Sequence, residues 1–294
     1  PGSRAASRGF SDLTIRNLFI IPTIAFLIIF NVFPLLYSLW TSFTDFRAST
    51  TAPANWVGLA NYRELLNDPF IWRNFTITAK YVLISVTGQV VVGFGLAMLL
   101  NRQIPFKGLI TTLLLLPMML SMAVVGLFWK LLYDPSFGII NYFLGLGKFE
   151  WLADPQVALY AVALVDIWMW SPFVMLICLA GLRSIPDYIY EAAEIDRASK
   201  LRQFFTITVP MVLPFLMLAV LFRGIENFKM FDLVVQLTGG GPGSVTELTS
   251  INLKREAFEK WRTGYASAYA IILFVTVFGL ASIYVKALNK VKER

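Results

Sequence analysis

Six long apolar stretches constrain this chain more than any other feature. A hydrocarbon core about 30 Å thick is crossed by roughly 20 helical residues, and each stretch reaches that length. Lipid offers the backbone no hydrogen-bond partner, so helices are the structure expected for such stretches. The predicted spans are residues 18–39, 75–100, 108–132, 157–182, 208–236 and 265–284. With 57% hydrophobic and 15% charged residues among 294, the sequence predicts an all-α membrane protein with six transmembrane helices.

The ends of two spans are less constrained than the others, because the third contains Pro117 and the fifth is polar in its second half. No internal repeat or low-complexity linker divides the chain. We therefore expect a single six-helix domain over residues 18–288, with an N-terminal segment 1–17 before it and a tail 289–294 after it.

The distribution of Lys and Arg predicts the orientation. With both termini inside, the cytoplasmic segments hold 13 of these cations in about 57 residues, and the outer loops hold nine in about 88. This asymmetry follows the positive-inside rule, so we expect both termini in the cytoplasm. The net charge of +7 then reflects membrane topology, and no nucleic-acid partner is expected.

Catalytic chemistry has little support in the composition. Histidine is absent and the single cysteine, Cys178, lies inside the fourth span, so neither a disulfide nor a usual metal site is expected. The Gly-rich stretch 239–244 lacks the lysine of a phosphate-binding loop. We expect no catalytic residue, no metal and no cofactor in this chain; if ATP drives the protein, another subunit binds it.

Several ionisable residues fall inside the predicted spans. An ionised group near the middle of a spanning helix costs about 2.5–3.5 kcal/mol, so such groups should face partners or water. Asp166, Trp170 and Phe173 share one helix stripe, an arrangement of acid and aromatic faces that suits a sugar. The alternative is helix packing with Asp166 paired. The ionisable residues in question are Asp166, Arg223, Glu226, Lys229 and Asp232.

A polar loop between the fourth and fifth spans carries a distinctive pattern of Glu and Ala. Residues 190–198 read YEAAEIDRA, and residues 204–210 read FFTITVP. The pattern resembles the EAA loop of binding-protein-dependent ABC importer permeases. One position departs from that family, since Arg197 stands where the family has Gly, and the tight turn that Gly allows is therefore not assured. The residues that match are Glu191, Ala192, Ala193, Asp196, Ala198, Ile207 and Pro210.

A second stretch narrows the resemblance. Residues 238–242 (TGGGP), 246–247 (TE) and 255–258 (REAF) look like the sugar-importer branch, or maltose-type family, of these permeases. We expect the glycines to take backbone angles closed to other residues. The resemblance extends over nearly the whole chain and implies the type I permease fold.

The resemblance implies partners and a mechanism. Residues 184–206 would form a cytoplasmic coupling helix inserted in an ATP-binding subunit, with Glu191 as a polar contact, Ala192 and Ala193 for close approach, and Asp196 fixing the loop beside Arg197 and Ala198. The expected assembly contains a second permease subunit, two ATP-binding subunits that hold ATP and Mg, and an extracytoplasmic solute-binding protein. It would lie in the bacterial cytoplasmic (inner) membrane and import a sugar.

The resemblance also implies a set of substrate contacts on the fourth and fifth spans. Arg223 suggests an anionic sugar derivative, because a guanidinium holds a carboxylate, sulfonate or phosphate in bidentate fashion. The alternative is a pair with Glu226 or with Asp166. Gln89 and Lys80 of the second span receive no substrate role. The implied contacts are Asp166, Met169, Trp170, Phe173, Arg223, Asn227 and Met230.

Two other classes of function remain open on sequence grounds. In an ion-coupled secondary carrier, Asp166 and Glu226 would be ion or proton sites, and inverted repeats would be expected. A membrane-embedded enzyme is disfavoured, because no nucleophile with its base is recognisable.

Overall fold

The structure, a computed structural model, describes residues 12–292, with side chains from 16 to 290. Five helices are long and apolar enough to cross a membrane, and a bent helix pair supplies a sixth span if it is counted as one. This agrees with the six predicted spans. Residues 1–11 and 293–294, which hold most of the predicted N-terminal segment and the end of the tail, lie outside the described residues.

The helices follow one another with short connections. Three π-helical turns, Ile28–Val32, Phe204–Thr208 and Arg255–Glu259, continue neighbouring helices without a break. In chain order the α-helices are α1 (Asp12–Leu27), α2 (Phe33–Thr41), α3 (Ala60–Asn67), α4 (Pro69–Asn101), α5 (Lys107–Met119), α6 (Met122–Leu132), α7 (Ile139–Leu144), α8 (Ala158–Arg183), α9 (Asp187–Ile195), α10 (Lys200–Gln203), α11 (Val209–Phe228), α12 (Asp232–Leu237), α13 (Thr249–Lys254) and α14 (Thr263–Lys292).

The chain divides into two compact units, of which the first comprises residues 12–65 and 256–272. Polar contacts hold this unit together. The buried Asn61 amide donates to the carbonyls of Ser42 (2.8 Å) and Thr44 (2.9 Å). The Arg262 guanidinium forms an ion pair with Glu64 at 2.6 Å. These contacts join α3 to the loop after α2 and to the residues before α14.

The second unit comprises residues 66–255 and 273–292 and contains the most extensive helix contact, between α4 and α8. Asp68 caps the start of α4, because its carboxylate accepts a hydrogen bond from the N–H of Phe70 at 2.8 Å. Cys178 is buried in an apolar cluster with Met175 and Val212, which agrees with a structural role for this thiol.

The third predicted span, 108–132, consists of two helices rather than one. The α5 and α6 helices meet at an angle of 98°, and Leu120 and Ser121 between them are extended. The α6 helix packs against α12. A Cβ on Gly126 would lie only 2.6 Å from the Cβ of Gln236, so this contact depends on a glycine.

The predicted fifth span, 208–236, extends too far. Its helix ends at Phe228, and a separate helix, α12, begins at Asp232. The polar residues of this region explain the end: Glu226 and Lys229 form an exposed ion pair at 2.8 Å, and Asp232 lies at the N-terminus of α12, where a negative charge is favourable. In the turn after α12, Gly239, Gly240 and Gly243 have positive φ, as the sequence predicted.

Candidate functional site

A polar cluster lies inside the second unit, where α4, α8 and α11 meet. Its members are Gln89 of α4, Asp166 of α8, and Arg223 and Asn227, which are four residues apart and so share one face of α11. Each side chain is at most 2% exposed. We call these four residues the buried polar network.

The hydrogen bonds of the buried polar network close on one another. Arg223 Nη2 donates to Asp166 Oδ1 (3.2 Å) and Asn227 Oδ1 (2.6 Å), and its Nε donates to Gln89 Oε1 (3.0 Å). The second oxygen of Asp166 accepts from the Gln89 amide (2.8 Å) and the Asn227 amide (2.9 Å). Carboxylate and guanidinium thus cancel each other's charge, which is the condition under which buried charges are tolerated.

This geometry decides between the two ion pairs that the sequence allowed for Arg223. Arg223 pairs with Asp166 between helices, while Glu226 pairs with Lys229 at the end of α11. The pair and its two amides connect three helices. Their direct role is therefore to hold α4, α8 and α11 together.

A row of aromatic rings runs outward from Arg223. The centre of its guanidinium lies 4.3 Å from the centre of the Trp170 ring, a cation–π distance. Trp170 meets Phe173 edge-on at 6.4 Å, and Phe173 meets Phe222 at 6.3 Å. Phe222 is 48% exposed. Within the described residues, the buried Trp170 Nε1 has no hydrogen-bond partner, so this N–H remains available as a donor.

The seven predicted substrate residues fall into two groups. Met169 and Met230 lie in an apolar cluster with Tyr81 and, like the charged pair and Asn227, are almost fully buried. Only Trp170 and Phe173 are partly exposed. The structure therefore brings the predicted residues together, but it buries five of them in the protein interior.

Sequence reasoning missed the role of Gln89. Its signal was a stripe of polar residues on α4, with Tyr81, Ser85 and Gln89 four residues apart and all fully buried. The hydroxyls of Tyr81 and Ser85 are buried near the Asp166 carboxylate, and neither has a hydrogen-bond partner within the described residues. A polar stripe of this kind on a spanning helix indicates that the helix faces other polar groups.

The approach of α4 to α8 depends on two glycines of α4. A Cβ on Gly88 would lie 2.3 Å from Ile167 Cδ1, and a Cβ on Gly93 would lie 2.6 Å from the Ser171 carbonyl oxygen. Both distances are far below van der Waals contact. Small residues at these positions allow the backbones to approach closely and bring Gln89 within reach of Asp166.

The second candidate site is the EAA segment, residues 184–206, which holds α9 and α10. Helix α9 ends in a Schellman motif, in which the N–H of Ala198 donates to the carbonyl of Ala193 and the N–H of Arg197 donates to that of Glu194, both at 2.9 Å. Arg197 occupies the left-handed position of this motif, with φ of 56°. The turn that a glycine would make is therefore present, although a residue with a Cβ makes it.

The base of the EAA segment is anchored and its tip is exposed. Tyr190 and Thr208 share a hydrogen bond of 2.9 Å, and the buried Gln203 amide donates to the carbonyl of Ala198 at 3.0 Å. Glu194 pairs with Lys200 at 2.5 Å, both exposed. Within the described residues, Glu194 forms its ion pair with Lys200 and not with the nearby Arg197.

The free surface of the EAA segment combines acidic and apolar groups. Glu191, Ala192 and Asp196 are exposed, and Ala193 and Ala198 are partly buried. Within the described residues the carboxylates of Glu191 and Asp196 have no hydrogen bond or ion pair. Tyr188 and Ile195 are 68% and 82% exposed. The base of the segment is held by hydrogen bonds, and within the described residues these two carboxylates at its tip lack partners. Such a surface suits contact with another protein.

The described part of the chain contains no group of three or more His, Cys, Asp or Glu side chains that could hold a metal ion.

Comparison with known proteins places these sites in context. Residues 89–291 match the family described as binding-protein-dependent transport system inner membrane component. The trehalose/maltose transport system permease protein of Thermococcus litoralis is 34% identical over 94% of each chain. The sulfoquinovosyl glycerol transport system permease protein of Agrobacterium fabrum is 32% identical over 95% of this chain and 91% of its own. The trehalose transport system permease protein of Mycobacterium tuberculosis is 30% identical over 97% and 90%.

Solved structures show the same fold. A bacterial ABC transporter involved in the import of the acidic polysaccharide alginate superimposes with a TM-score of 0.82 over 94% of this chain and 95% of that chain, at 20% identity. A structure of a bacterial alginate ABC transporter in complex with an alginate pentasaccharide-bound periplasmic protein gives 0.80 over 92% of each chain, at 19% identity.

Proposed function

Because this chain belongs to the family of inner membrane components of binding-protein-dependent transport systems, we propose that it is the permease subunit of an ATP-driven sugar importer. In this role it receives a sugar from a binding protein and passes it into the cytoplasm. Membership of this family also removes the reason to retain an ion-coupled carrier as the alternative.

The observation that carries the proposal is the agreement among relatives over more than nine tenths of the chain. Relatives named for trehalose, maltose and sulfoquinovosyl glycerol transport all align along nearly its full length. All three compounds contain a sugar ring with several hydroxyl groups. A sugar is therefore the substrate class that we assign to this chain.

The EAA segment supplies the contact with an ATP-binding subunit. Its exposed Ala192 and partly exposed Ala193 allow close approach, and the unpaired Glu191 carboxylate is available to a donor on the partner. Asp196 and Arg197 shape the turn through their backbone, and Ala198 completes the motif that ends α9. ATP and Mg are held by the partner, and this chain contributes the part that receives the movement.

The proposed assembly contains a second permease, two ATP-binding subunits and an extracytoplasmic binding protein, with both termini of this chain in the cytoplasm. Closure of the ATP-binding subunits would move α9 as a rigid element, because Tyr190 of α9 is hydrogen-bonded to Thr208 in the π-helical turn that leads into α11. Rigid-body movement of packed helices then alternates access between the two sides.

The charge balance of the buried polar network bears on the charge of the substrate. Arg223 can bind an anionic group in bidentate fashion only if its Nη2 leaves Asp166 or Asn227, and breaking a buried pair costs about 3–5 kcal/mol. The exposed end of the aromatic row suits contact with the face of a sugar ring. The N–H of Trp170, which has no hydrogen-bond partner within the described residues, suits donation to a sugar hydroxyl. We therefore propose that an uncharged part of the sugar contacts the aromatic row, and that Arg223 does not bind an anionic group of the substrate directly.

Reconstitution tests the function directly. The complete complex in proteoliposomes, supplied with its binding protein loaded in turn with trehalose, maltose and sulfoquinovosyl glycerol, should accumulate at least one of them. Accumulation should require ATP at the cytoplasmic face and persist when ionophores remove ion gradients. Uptake that follows an ion gradient and ignores ATP would contradict the proposal.

The substrate charge has its own test in the same vesicles. If Arg223 reads an anion, Arg223→Gln should abolish uptake of sulfoquinovosyl glycerol and spare trehalose. We expect the substitution to affect both sugars alike, because it opens the contact between helices.

A further inference from the structure

Phe106, at the start of α5, is unfavourable in three separate respects. Its backbone is left-handed, with φ of 54°, a conformation that disfavours any residue with a Cβ. It occupies the position where Ser, Thr, Asp or Asn would cap the helix, and it forms no capping hydrogen bond. Its ring is 80% exposed. Residues held in unfavourable conformations cluster at functional sites, so Phe106 marks a surface that something contacts.

The turn that carries Phe106 is held in place. We call residues 102–107 the basic turn, because they connect α4 to α5 and hold two cations, Arg102 and Lys107. The Lys107 ammonium donates to the carbonyl of Arg102 at 3.3 Å. Ile104 is partly buried against an apolar cluster of the second unit. The Phe106 ring is therefore exposed on a turn that is anchored on both sides of it.

The positive charge of the basic turn calls for an anionic partner. Between Asp68 and Asp134 the sequence contains no Asp or Glu. Within the described residues, neither Arg102 nor Lys107 forms an ion pair. This charge is opposite to that of the unpaired carboxylates on the EAA segment. The two surfaces therefore suit partners of different charge.

An anionic phospholipid fits both the charge and the apolar ring. The proposed topology places the basic turn at the cytoplasmic ends of α4 and α5. Leu109 and Leu113 follow Phe106 at helical spacing, and both are exposed, so the ring extends the apolar side of a span. Aromatic rings lie at such boundaries, and Lys and Arg bind the headgroups beside them. A water-soluble subunit would not reach this apolar side of α5.

The basic turn shares its apolar support with the EAA segment. Ile104 packs against the same cluster as Ile189 and Tyr190 of α9. Phe94 of α4 also meets Phe204 of the EAA segment, with 6.0 Å between the ring centres. A ligand that fixes the basic turn therefore also restrains the base of the EAA segment.

Resting on the proposed function, we propose that the basic turn is a binding site for an anionic phospholipid, which promotes the coupling of ATP hydrolysis to transport. The headgroup contacts Arg102 and Lys107, and the Phe106 ring enters the boundary between headgroups and acyl chains. The lipid acts through the shared apolar cluster on the segment that receives movement from the ATP-binding subunit. It is an effector of the importer and not its substrate.

Lipid retention tests the binding site directly. The complete complex in detergent would be titrated with phosphatidylglycerol, and the bound lipid would be counted by native mass spectrometry. The double variant Arg102→Gln, Lys107→Gln should weaken retention about 25-fold, since each cation at an anionic surface contributes about 5-fold. The variant Arg102→Lys, Lys107→Arg keeps both charges and should retain the lipid. Lys148→Gln removes an exposed cation between α6 and α8 and, as the matched control, should change nothing.

A substitution at Phe106 separates lipid contact from folding. Asn is tolerated in left-handed conformations and favoured at helix starts, so Phe106→Asn should keep or raise the melting temperature of the permease in detergent. Retention of phosphatidylglycerol should nevertheless fall, because the ring contact is lost. Retention equal to that of the wild type would contradict the role of the ring.

ATP hydrolysis in nanodiscs tests the effect on coupling. When phosphatidylglycerol replaces part of the phosphatidylcholine, hydrolysis stimulated by the binding protein should rise about 5-fold in the wild type, a usual size for coupling between two sites. The variant without the two charges should lose this rise. Inorganic phosphate added to phosphatidylcholine nanodiscs should not replace the lipid.

Three results would overturn the assignment. Unchanged retention in the variant without the two charges would show that the lipid does not bind at the basic turn. Release of the ATP-binding subunits from that variant in every lipid would assign the turn to their interface. Equal wild-type hydrolysis with and without phosphatidylglycerol would remove the effector role. The proposed function fails separately, if no sugar-loaded binding protein stimulates the wild-type complex in any lipid, a result that leaves the retention measurement valid.

Discussion

The charged groups of the buried polar network are buried and paired, whereas those at the tip of the EAA segment are exposed and, within the described residues, unpaired. Inside the second unit, Asp166 and Arg223 satisfy each other and two amides, and almost nothing of them reaches the surface. On the EAA segment, Glu191 and Asp196 have no ion pair within the described residues, and Arg197 stands in a strained backbone conformation with its side chain exposed.

This difference separates residues that hold the protein together from residues that are available to a partner. A network that closes on itself gains little from a further ligand, and its loss destabilises the fold. Unpaired charged groups on an exposed, anchored helix cost the isolated chain little stability, because water solvates them. They form favourable contacts when a partner covers them. The two regions should therefore respond to substitution in different measurements.

The largest effect on stability should come from opening the buried polar network. Arg223→Gln leaves the Asp166 carboxylate buried without its counter-charge, so we expect a loss of about 3–5 kcal/mol. Thermal unfolding of the purified protein in detergent measures it. The double variant Asp166→Asn, Arg223→Gln should recover much of the loss, because no uncompensated charge remains. A double variant as unstable as the single one would show that the ion pair is not what the site requires.

A smaller loss of stability should follow from adding a side-chain carbon between the closely packed helices α4 and α8. Gly93→Ala places a Cβ 2.6 Å from the Ser171 carbonyl oxygen, and overpacking of this kind costs about 1–3 kcal/mol. Gly95→Ala is the matched control, since it lies in the same helix with no atom within 4 Å of its Cβ. Gly95→Ala should be neutral or stabilising. Equal effects of the two substitutions on the melting temperature would contradict the close approach described here.

The smallest effect should be a gain in stability, and we expect it in the EAA segment. Arg197→Gly removes the cost of a left-handed residue with a Cβ, about 1 kcal/mol. Hydrogen exchange of the amides at 191–198 should slow accordingly, while Arg197→Ala gives no such gain. If both variants exchange alike, the strain assigned to this turn is absent.

Much of the fold was predictable from local chemistry. Long apolar runs located the spans because the lipid requirement acts on each stretch alone, and the positive φ of Gly239 and Gly240 followed from their lack of a side chain. The bend between α5 and α6 was not predictable, because nothing in the local sequence shows that α6 packs against α12 through Gly126.

The candidate sites divide in the same way. The EAA segment was recognisable because its residues are adjacent in sequence, although the left-handed Arg197 was not foreseen. The pairing of Arg223 with Asp166 stayed one alternative among several, since the two residues are 57 positions apart in sequence and lie on different helices. Gln89 received no role, because its partners appear only when three helices are assembled.

One measurement tests the central claim most directly, namely that the exposed tip of α9 receives movement from an ATP-binding subunit. In the complete complex, Glu191→Lys should lower ATP hydrolysis stimulated by the binding protein about 10-fold or release the ATP-binding subunits, as expected for a lost interface contact. Glu191→Gln should have a smaller effect, and the melting temperature of the isolated permease should not change in either variant. Normal assembly together with normal coupled hydrolysis in Glu191→Lys would contradict the account.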